Sequence, residues 1–582
     1  MKIRNCFYLQ KKAPMTQKNN FFIFLNLLLL FFIASKSIQA QPVSLHPDVA
    51  ISLYLNVGKP SSCIAYEKVS KTVFYGNVTG DIYKVIEGTV NKDTLLYDSL
   101  MHGIPYLQGM AIHDSAIYVI GNDWTNGTQG IGIVSKGVLQ SNGSRIWKNV
   151  LKTVLYPATN ATFDHGFSGI EIDPAGQFLY ISSGSRSDHG ELQTAGGLFP
   201  ATREVPLTSA IFKIPIATEN LILPNNETQL IQGGWLFADG TRNSFGLSFN
   251  GRGDLFGVEN SGDRDDQEEL NRLQSGKHYG FPWMMGTNHT PQQYPGYNPA
   301  NDPLANPNSK AYQLGFFYND PTYPTPPVGI TFTMPIENQG PAANYYRDST
   351  DGKLHRAIGQ SLGTFTMHRS PVGLVFDKDS LLSNDFRGSG FVLSFTQGNG
   401  DSTGFLSNSI WGLPVVPIDS SQDMMQLKLV YNVGTDTYTL NSYRIIEGFN
   451  LPVNAEIVDT TIYVLEFGET GNRHIWKVSM PSFINSVASS NKQDNAELNI
   501  FPNPTKNSFS LNYYLPNQGN VTFTISDLLG RKLLLLENET TPQGWNKKTF
   551  DSNDIGLSQG IYVIHFAVDD KSIGSKKLVV NH

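Results

Sequence analysis

Short runs of alternating apolar and polar residues recur along most of the chain, each followed by a polar turn and a second apolar run rich in aromatics. A period of two marks a strand with one buried face, and paired runs across Gly-, Asn- or Asp-containing turns mark hairpins. The pattern appears as Ser62-Cys63-Ile64-Ala65 with Val73-Phe74-Tyr75, and as Gly109-Met110-Ala111-Ile112 with Ile117-Tyr118-Val119-Ile120. A third copy is Gly169-Ile170-Glu171-Ile172 with Phe178-Leu179-Tyr180-Ile181, and a fourth Gly246-Leu247-Ser248-Phe249 with Asp254-Leu255-Phe256-Gly257-Val258. Val372-Gly373-Leu374-Val375-Phe376 with Phe391-Val392-Leu393-Ser394-Phe395 makes a fifth, and Val453-Asn454-Ala455-Glu456-Ile457 with Ile462-Tyr463-Val464-Leu465 a sixth. Several copies close on an outer-strand motif such as Ile211-Phe212-Lys213-Ile214 or Ile475-Trp476-Lys477-Val478. Six hairpin-built units predict an all-β, six-bladed β-propeller, whose radial packing leaves only short, protected strand edges. The copies stand further apart than the about 40 to 50 residues of compact propeller repeats, so large loops must leave one face. The largest, about 285–360, is rich in Pro, Asn and Tyr and is expected to shape the mouth of a central site.

Both ends break the pattern. Lys11, Lys12 and Lys18 precede the apolar run 21–34, and small or mild residues lead to Ala40-Gln41, which reads as a signal peptide over 1–40, with Met15 as an alternative start. The run is short and wrongly flanked for a membrane span, and no later segment in the mature chain approaches a transmembrane helix. The propeller is expected over 41–480. Residues 481–497 are small, polar and unpatterned, a linker signature. Alternation resumes over 498–582, as in Val521-Thr522-Phe523-Thr524-Ile525 and Gly560-Ile561-Tyr562-Val563-Ile564, and predicts a small C-terminal antiparallel β-sandwich.

Composition narrows the function. Lys and Arg total 43 against 50 Asp and Glu, a formal charge of -7, so nothing points to a nucleic-acid partner. The two cysteines exclude a disulfide framework: Cys6 lies in the leader and Cys63 at the start of an expected buried strand.

Candidate chemistry gathers at 238–283, where Glu259, Asp263, Asp265, Asp266, Glu268 and Glu269 crowd the loop after a hairpin. So many carboxylates need an offsetting cation, and hard oxygen ligands suit calcium; a solvated acidic loop is the alternative. His165 is a second candidate, because an imidazole with a near-neutral pKa is both unprotonated at rest and a competent proton acceptor. Beside Asp164, taken on its own, such a residue is more often a hydrogen-bonded structural histidine. His189 reads as a loop residue. Arg369 can grip a carboxylate bidentately or serve an ion pair.

Arg242-Asn243, Gly246-Leu247, Glu269-Leu270-Asn271 and Tyr279-Gly280-Phe281-Pro282 follow one another in an order and spacing that resemble the soluble quinoprotein glucose and sorbosone dehydrogenases. The resemblance spans about 47–480 and also takes in the segment of His165 and the Pro371-to-Gly388 region. It implies an aldose sugar dehydrogenase in which Arg242 and Asn243 bind pyrroloquinoline quinone, carbonyls of Ser261 and Gly262 hold a calcium at the quinone, and Glu269 and Tyr279 help hold a structural calcium. It places the general base at His165. The family's late Lys and paired Arg contacts to the quinone carboxylates have no clear counterpart, and Arg369 is the candidate for one of them. A small sugar substrate and an external electron acceptor would complete the reaction.

The tail opens Asn499-Ile500-Phe501-Pro502-Asn503-Pro504, carries Asp527-Leu528-Leu529-Gly530-Arg531 and ends Lys576-Lys577-Leu578-Val579-Val580. It resembles the C-terminal sorting domain of the type IX secretion system of Bacteroidetes. That implies the type IX machinery as partner and export through the periplasm and across the outer membrane, to the cell surface or medium. Two functions stand: a secreted quinoprotein sugar oxidoreductase, or a propeller without quinone that binds surface glycans or hydrolyses a small ester with a central metal.

Overall fold

The computed structural model describes residues 41–581 except 126, 128, 159–162, 195–199, 358–362, 384, 397–421, 470, 483–496, 516, 528–530 and 570; the expected leader and most of the expected linker lie outside the described residues. The six sequence units become six antiparallel sheets. Blade 1 is Ser61–Glu67, Thr72–Asn77, Ile82–Ile86 and Lys92–Tyr97; blade 2 is Tyr106–His113, Ala116–Asp123, Ile131–Leu139 and Arg145–Thr153. Blade 3 is Phe167–Ile172, Phe178–Ser183, Ala210–Pro215 and Leu236–Asp239, and blade 4 is Ser244–Phe249, Leu255–Glu259 and Glu269–Leu273. Blade 5 runs Pro371–Phe376, Gly390–Ser394, Met424–Asn432 and Thr437–Glu447. Blade 6 runs Pro452–Val458, Thr461–Glu466 and His474–Ser479, and its outer strand is Ala50–Asn56 from the start of the described chain.

The first strand of each blade touches the first strand of the next, and blade 6 returns to blade 1, so the six inner strands form a closed ring. This crowding explains the small residue that opens most repeats. A Cβ at Gly246 would collide with the Val372 carbonyl of the next inner strand, and one at Gly109 with the Ser168 carbonyl. Closure depends on pairing the two ends of the propeller: Leu53 registers with Trp476 and Asn56 with His474. The sequence pattern does not reveal that closure, because the strand Ala50–Asn56 alternates like any other and nothing local names its distant partner. Cores lie between neighbouring blades, as where Tyr118, Ile120 and Val134 of blade 2 pack with Phe167, Leu179 and Phe212 of blade 3. Cys63 is fully buried on the inner strand of blade 1, and burial pushes its thiol up to about 12, so it packs as an inert apolar residue.

The insertion between blades 4 and 5 is not structureless. It carries the hairpins Met284–Met285/Asn288–His289 and Tyr345–Arg347/Leu354–Arg356 and the short helix Lys310–Gln313. No helix among the described residues is long and apolar enough to cross a membrane.

The tail forms a separate unit of two antiparallel sheets. One contains Glu497–Phe501, Ser508–Leu515 and Gly544–Asp551; the other contains Lys532–Thr541, Gly519–Ser526, Gly560–Val568 and Lys571–Val580. Phe509, Leu511 and Tyr513 of the first sheet pack with Phe523, Ile525 and Phe566 of the second, the expected sandwich core.

Candidate active site

The loops that lead into the inner strands of blades 3, 4 and 5 share one face of the ring, and together they enclose a cavity of about 550 Å³. Phe163 and His165 come from the entry to blade 3, Asp188 from the connection beyond its second strand, and Arg242 from the entry to blade 4. Asn260, Ser261, Asp263 and Glu268 come from the loop between the second and third strands of blade 4. His368 and Ser370 enter from blade 5, Phe395 and Thr396 leave its second strand, and Lys310 reaches in from the insertion.

His165 is fixed by its protein-facing side. Its Nδ1 stands 3.1 Å from the Ser185 carbonyl oxygen. A carbonyl only accepts, so Nδ1 carries the hydrogen and Nε2 of the neutral ring keeps its lone pair. Burial, and then the Arg242 charge, push the imidazole down to about 4. The ring that lines the cavity is therefore neutral at pH 7, an acceptor and not a cation.

Arg242, 3% exposed, is held from several sides. Nε donates to the Asp188 carbonyl at 2.9 Å, Nη1 to the Asn260 carbonyl at 3.1 Å, and Nη2 stands 3.3 Å from Asp188 Oδ1. Nη2 keeps a second N–H for a ligand. Asn243 donates from Nδ2 to Asn260 Oδ1 at 3.2 Å, and Asn260 in turn donates to Ser370 Oγ at 3.1 Å, so one asparagine joins the entries to blades 4 and 5. Asp188 also accepts from His189 Nδ1 at 2.8 Å, while His189 Nε2 faces the Phe316 carbonyl at 3.1 Å. Both ring nitrogens face acceptors. Burial opposes charge on His189, but Glu191 and Asp188 outweigh it and raise its pKa. His189 lies in a loop, as expected, but it is buried there and stacked 4.4 Å from Phe317, with both ring nitrogens committed to protein acceptors.

The acidic loop divides into two parts. Asp265 pairs with Arg347 Nε at 2.5 Å and His368 Nε2 at 2.8 Å; Asp266 pairs with Arg264 at 2.5 Å and accepts from Asn288 at 2.9 Å. Glu268 accepts from the backbone amides of Arg369 and Ser370, each at 2.9 Å. His368 and Ser370 take φ of 59° and 52°, a left-handed geometry that non-glycine residues rarely adopt and that here turns successive amides toward one anion. Burial still pushes Glu268 up to about 7, and burial with the neighbouring Asp188 pushes Asp263 up to about 6. Most of the expected repulsion is therefore already met by protein groups.

Glu259 and Glu269 are the exception. Both are buried, they register directly across the strand pair of blade 4, and among the described residues neither has an ion-pair partner. Burial, and then Glu259, raise the Glu269 carboxyl well above its ordinary range. Asn271 Nδ2 donates to both, while Asn271 Oδ1 is buried without a partner. This oxygen-rich, cation-poor set fits a hard divalent ion.

The structure brings His165, Arg242 and Ser261 to one cavity, with Asn243 and Gly262 immediately behind; Gly262 abuts Asp188 so closely that a Cβ would crowd its carboxylate. Asn243 Oδ1 and Ser261 Oγ are buried without partners, polar atoms of the kind a quinone and its metal would satisfy. Arg369 lies outside the cavity, and so does Tyr279, which the resemblance assigns with Glu269 to a structural calcium and not to the quinone. Arg369 Nη2 ends on Asp423 Oδ2 at 2.5 Å inside blade 5, and the Tyr279 hydroxyl donates to the Arg272 carbonyl at 2.5 Å. Neither side chain lines the cavity. Sequence reasoning missed Asp188, His368 and Lys310. The signal for the first two was a charged or imidazole group in a Ser/Gly/Pro-rich break beside a strand; Lys310 carries no local signal.

Residues 499–581 match the family model described as Secretion system C-terminal sorting domain. No curated protein sequence matches the chain. Among solved structures, the PQQ-bound aldose sugar dehydrogenase of Streptomyces coelicolor is similar at 12% identity, over 75% of this chain and 99% of that one, with a TM-score of 0.41. The apo soluble aldose sugar dehydrogenase of Escherichia coli is similar at 14% identity, over 74% and 99%, with a TM-score of 0.44. The PQQ domain of the Coprinopsis cinerea pyranose dehydrogenase is similar at 9% identity, over 75% and 97%, with a TM-score of 0.43. The tail is a sorting domain of the type IX secretion system, and the chain that carries it is directed across the outer membrane to the cell surface or the medium.

Proposed function

We propose that the protein is a secreted quinoprotein oxidoreductase that oxidises an aldose or related sugar at its C1 hydroxyl with pyrroloquinoline quinone and calcium, and that its leader is cut near Ala40. The observation that carries this reading is the neutral His165, with its lone pair on Nε2, sharing a cavity with Arg242. The quinone, when bound, supplies the two-electron acceptor that the protein's own side chains lack. Arg242 Nη2 and Asn243 would hold its polar edge, and the carbonyls of Ser261 and Gly262 would hold calcium beside it. Phe163 and Phe395 give the cavity apolar walls. His165 takes the C1 hydroxyl proton at Nε2, and the Ser185 carbonyl steadies the imidazolium through Nδ1. An external acceptor then reoxidises the enzyme. The test is dye reduction by protein reconstituted with quinone and calcium, across a panel of aldoses, beside a quinone absorbance titration. Quinone-dependent turnover supports the reading. Failure to bind quinone at saturating cofactor and calcium overturns it in favour of a glycan-binding propeller.

A further inference from the structure

A second, smaller cavity of about 160 Å³ lies where blades 5 and 6 meet at the outer edge of the ring, away from the site above. Its walls include Asn450, Glu466, His474 and Trp476, and Gln41 with Pro42. Glu466 is 1% exposed, accepts from the Asn450 amide and from His474 Nδ1 at 2.7 Å each, and has no other ion-pair partner among the described residues. Two further polar atoms are buried here without partners, Asn450 Oδ1 and Trp476 Nε1. The Asn450 amide orientation is fixed, because Nδ2 donates to the Asn472 carbonyl at 2.7 Å. An occupant must therefore offer a hydrogen-bond donor to Asn450 Oδ1, and positive charge or a further donor to Glu466.

The chain itself delivers such a group. Val43 pairs with Glu447 and Ser44 with Ile446, and Leu45 donates to the Ile445 carbonyl at 2.9 Å. These bonds bring Gln41 and Pro42 alongside Gly448, at φ of 85°, where the backbone turns toward Asn450. Cleavage after Ala40 would leave the amino terminus on Gln41, at the edge of this cavity. We infer that the cavity is the seat of the chain's own processed amino terminus, whose N–H groups fill Asn450 Oδ1 and face Glu466. The inference rests on the leader reading given above. Two forms of the terminus share this chemistry: the free ammonium, or the lactam that forms when the α-amine attacks the Gln41 side-chain amide and ammonia leaves. The lactam keeps one N–H and fixes the former side-chain carbonyl in its ring, an acceptor that suits Trp476 Nε1.

The test uses the chain 41–582 made to start at Gln41 without a scar, beside the same chain with one added Gly in front. The added residue is expected to lower Tm by about 2 °C or more. That loss should shrink by at least half in Glu466→Gln if the terminus is an ammonium, or in Trp476→Phe if intact mass shows the lactam. The ammonium and lactam arms also separate by pH. An amine whose pKa is raised beside Glu466, with His474 the other titratable group there, stabilises below its unfolded value near 7.7 to 8.0 and loses that effect as pH rises through the folded one; a lactam effect stays flat. A Tm indifferent to the added Gly, or a loss of the same size in wild type and both variants, overturns the inference. N-terminal sequencing of the exported protein keeps the two readings apart. A start elsewhere sinks the leader reading and this one with it, whereas a start at Gln41 that does not notice the added Gly sinks this one alone.

Discussion

Glu259 and Glu269 stand directly opposite each other on neighbouring strands of blade 4 and share the Nδ2 of Asn271, at 3.0 and 2.7 Å. Like charges in direct register destabilise a sheet, and burial removes the water that would screen them. Without a cation the pair must hold a proton; with calcium it need not. Calcium at about 100 times its Kd should stabilise the protein by about 2.7 kcal/mol, and its binding should release a proton. Removing one of the two charges should reverse sign with the metal. Glu269→Gln is expected to raise Tm in chelator and lower it in calcium relative to wild type. Thermal scans of both proteins in both conditions check this, and parallel curves would assign the pair a purely structural role.

His165 and Arg242 should fail differently. His165→Asn removes a proton acceptor at Nε2 and leaves Arg242 in place, so turnover should fall about 100-fold to 10,000-fold while the quinone titration is little changed. Arg242→Ala should shift that titration to higher quinone, because it removes a charge-assisted donor from binding itself. The pair of titrations, read beside dye reduction, separates the two roles.

The pH dependence follows from the His165 ring. Its pKa is pushed from an ordinary 6.5 down to about 4, first by burial and then by Arg242. The base stays neutral far into acid, so the acid limb of activity should lie well below 6.5. An anionic ligand against Arg242 removes the second cause and should move the limb upward. Stability carries the same sign. Between about 4 and 6.5 the unfolded ring is protonated and the folded one is not, so its contribution is present above 6.5 and fades as pH falls toward 4. Wild type should therefore lose Tm faster than His165→Gln across that window, and equal slopes would show that the ring is solvated.

How far the sequence could be read follows from distance along the chain. The six hairpins were legible because alternation and turn residues are local, and the small residue opening most inner strands recorded the crowding at the ring axis. Closure of blade 6 by Ala50–Asn56 was not legible, since strand pairing over hundreds of residues leaves no local mark. The same divide runs through the site. Arg242-Asn243 sit on one strand entry and could be recognised as a pair, whereas Asp188, which fixes Arg242, lies in a different blade. The acidic loop misled for a related reason: the partners of Asp265 are distant in the chain, Arg347 arriving from the insertion and His368 from beyond it.

Arg369 gives a prediction opposite to that for Arg242. Its Nη2 is bonded to Asp423 Oδ2 at 2.5 Å, and Arg444 Nε reaches the same oxygen at 2.7 Å. Arg369 and Asp423 are both buried. Breaking a buried pair typically costs about 3 to 5 kcal/mol, and Arg444 should hold the loss near the lower end. Arg369→Met is therefore expected to lower the denaturation midpoint strongly and leave quinone affinity unchanged in the fraction that folds. Weakened quinone binding with unaltered stability would place this guanidinium at the cofactor instead.

The tail should be separable, provided the cut respects one local bond. Leu382 bridges Ser482, and Ser383 donates to the Pro481 carbonyl at 2.8 Å, so the segment that follows blade 6 still carries backbone partners for the loop between the first two strands of blade 5. A chain ending at Ser482 keeps those bonds and loses only the linker and the sandwich, which has its own core of Phe509, Tyr513, Phe523 and Phe566. Units with separate cores fold independently, so this chain should show one cooperative transition and the same quinone titration as the full protein. In its host it should accumulate in the periplasm, because the sorting signal is gone. A chain ending two residues earlier, at Met480, should have a lower Tm than the one ending at Ser482, by the loss of those backbone partners. Fractionation of cells expressing each form checks the export half. Appearance of the shortened chain at the surface would mean that export signals lie in the propeller as well as in the tail.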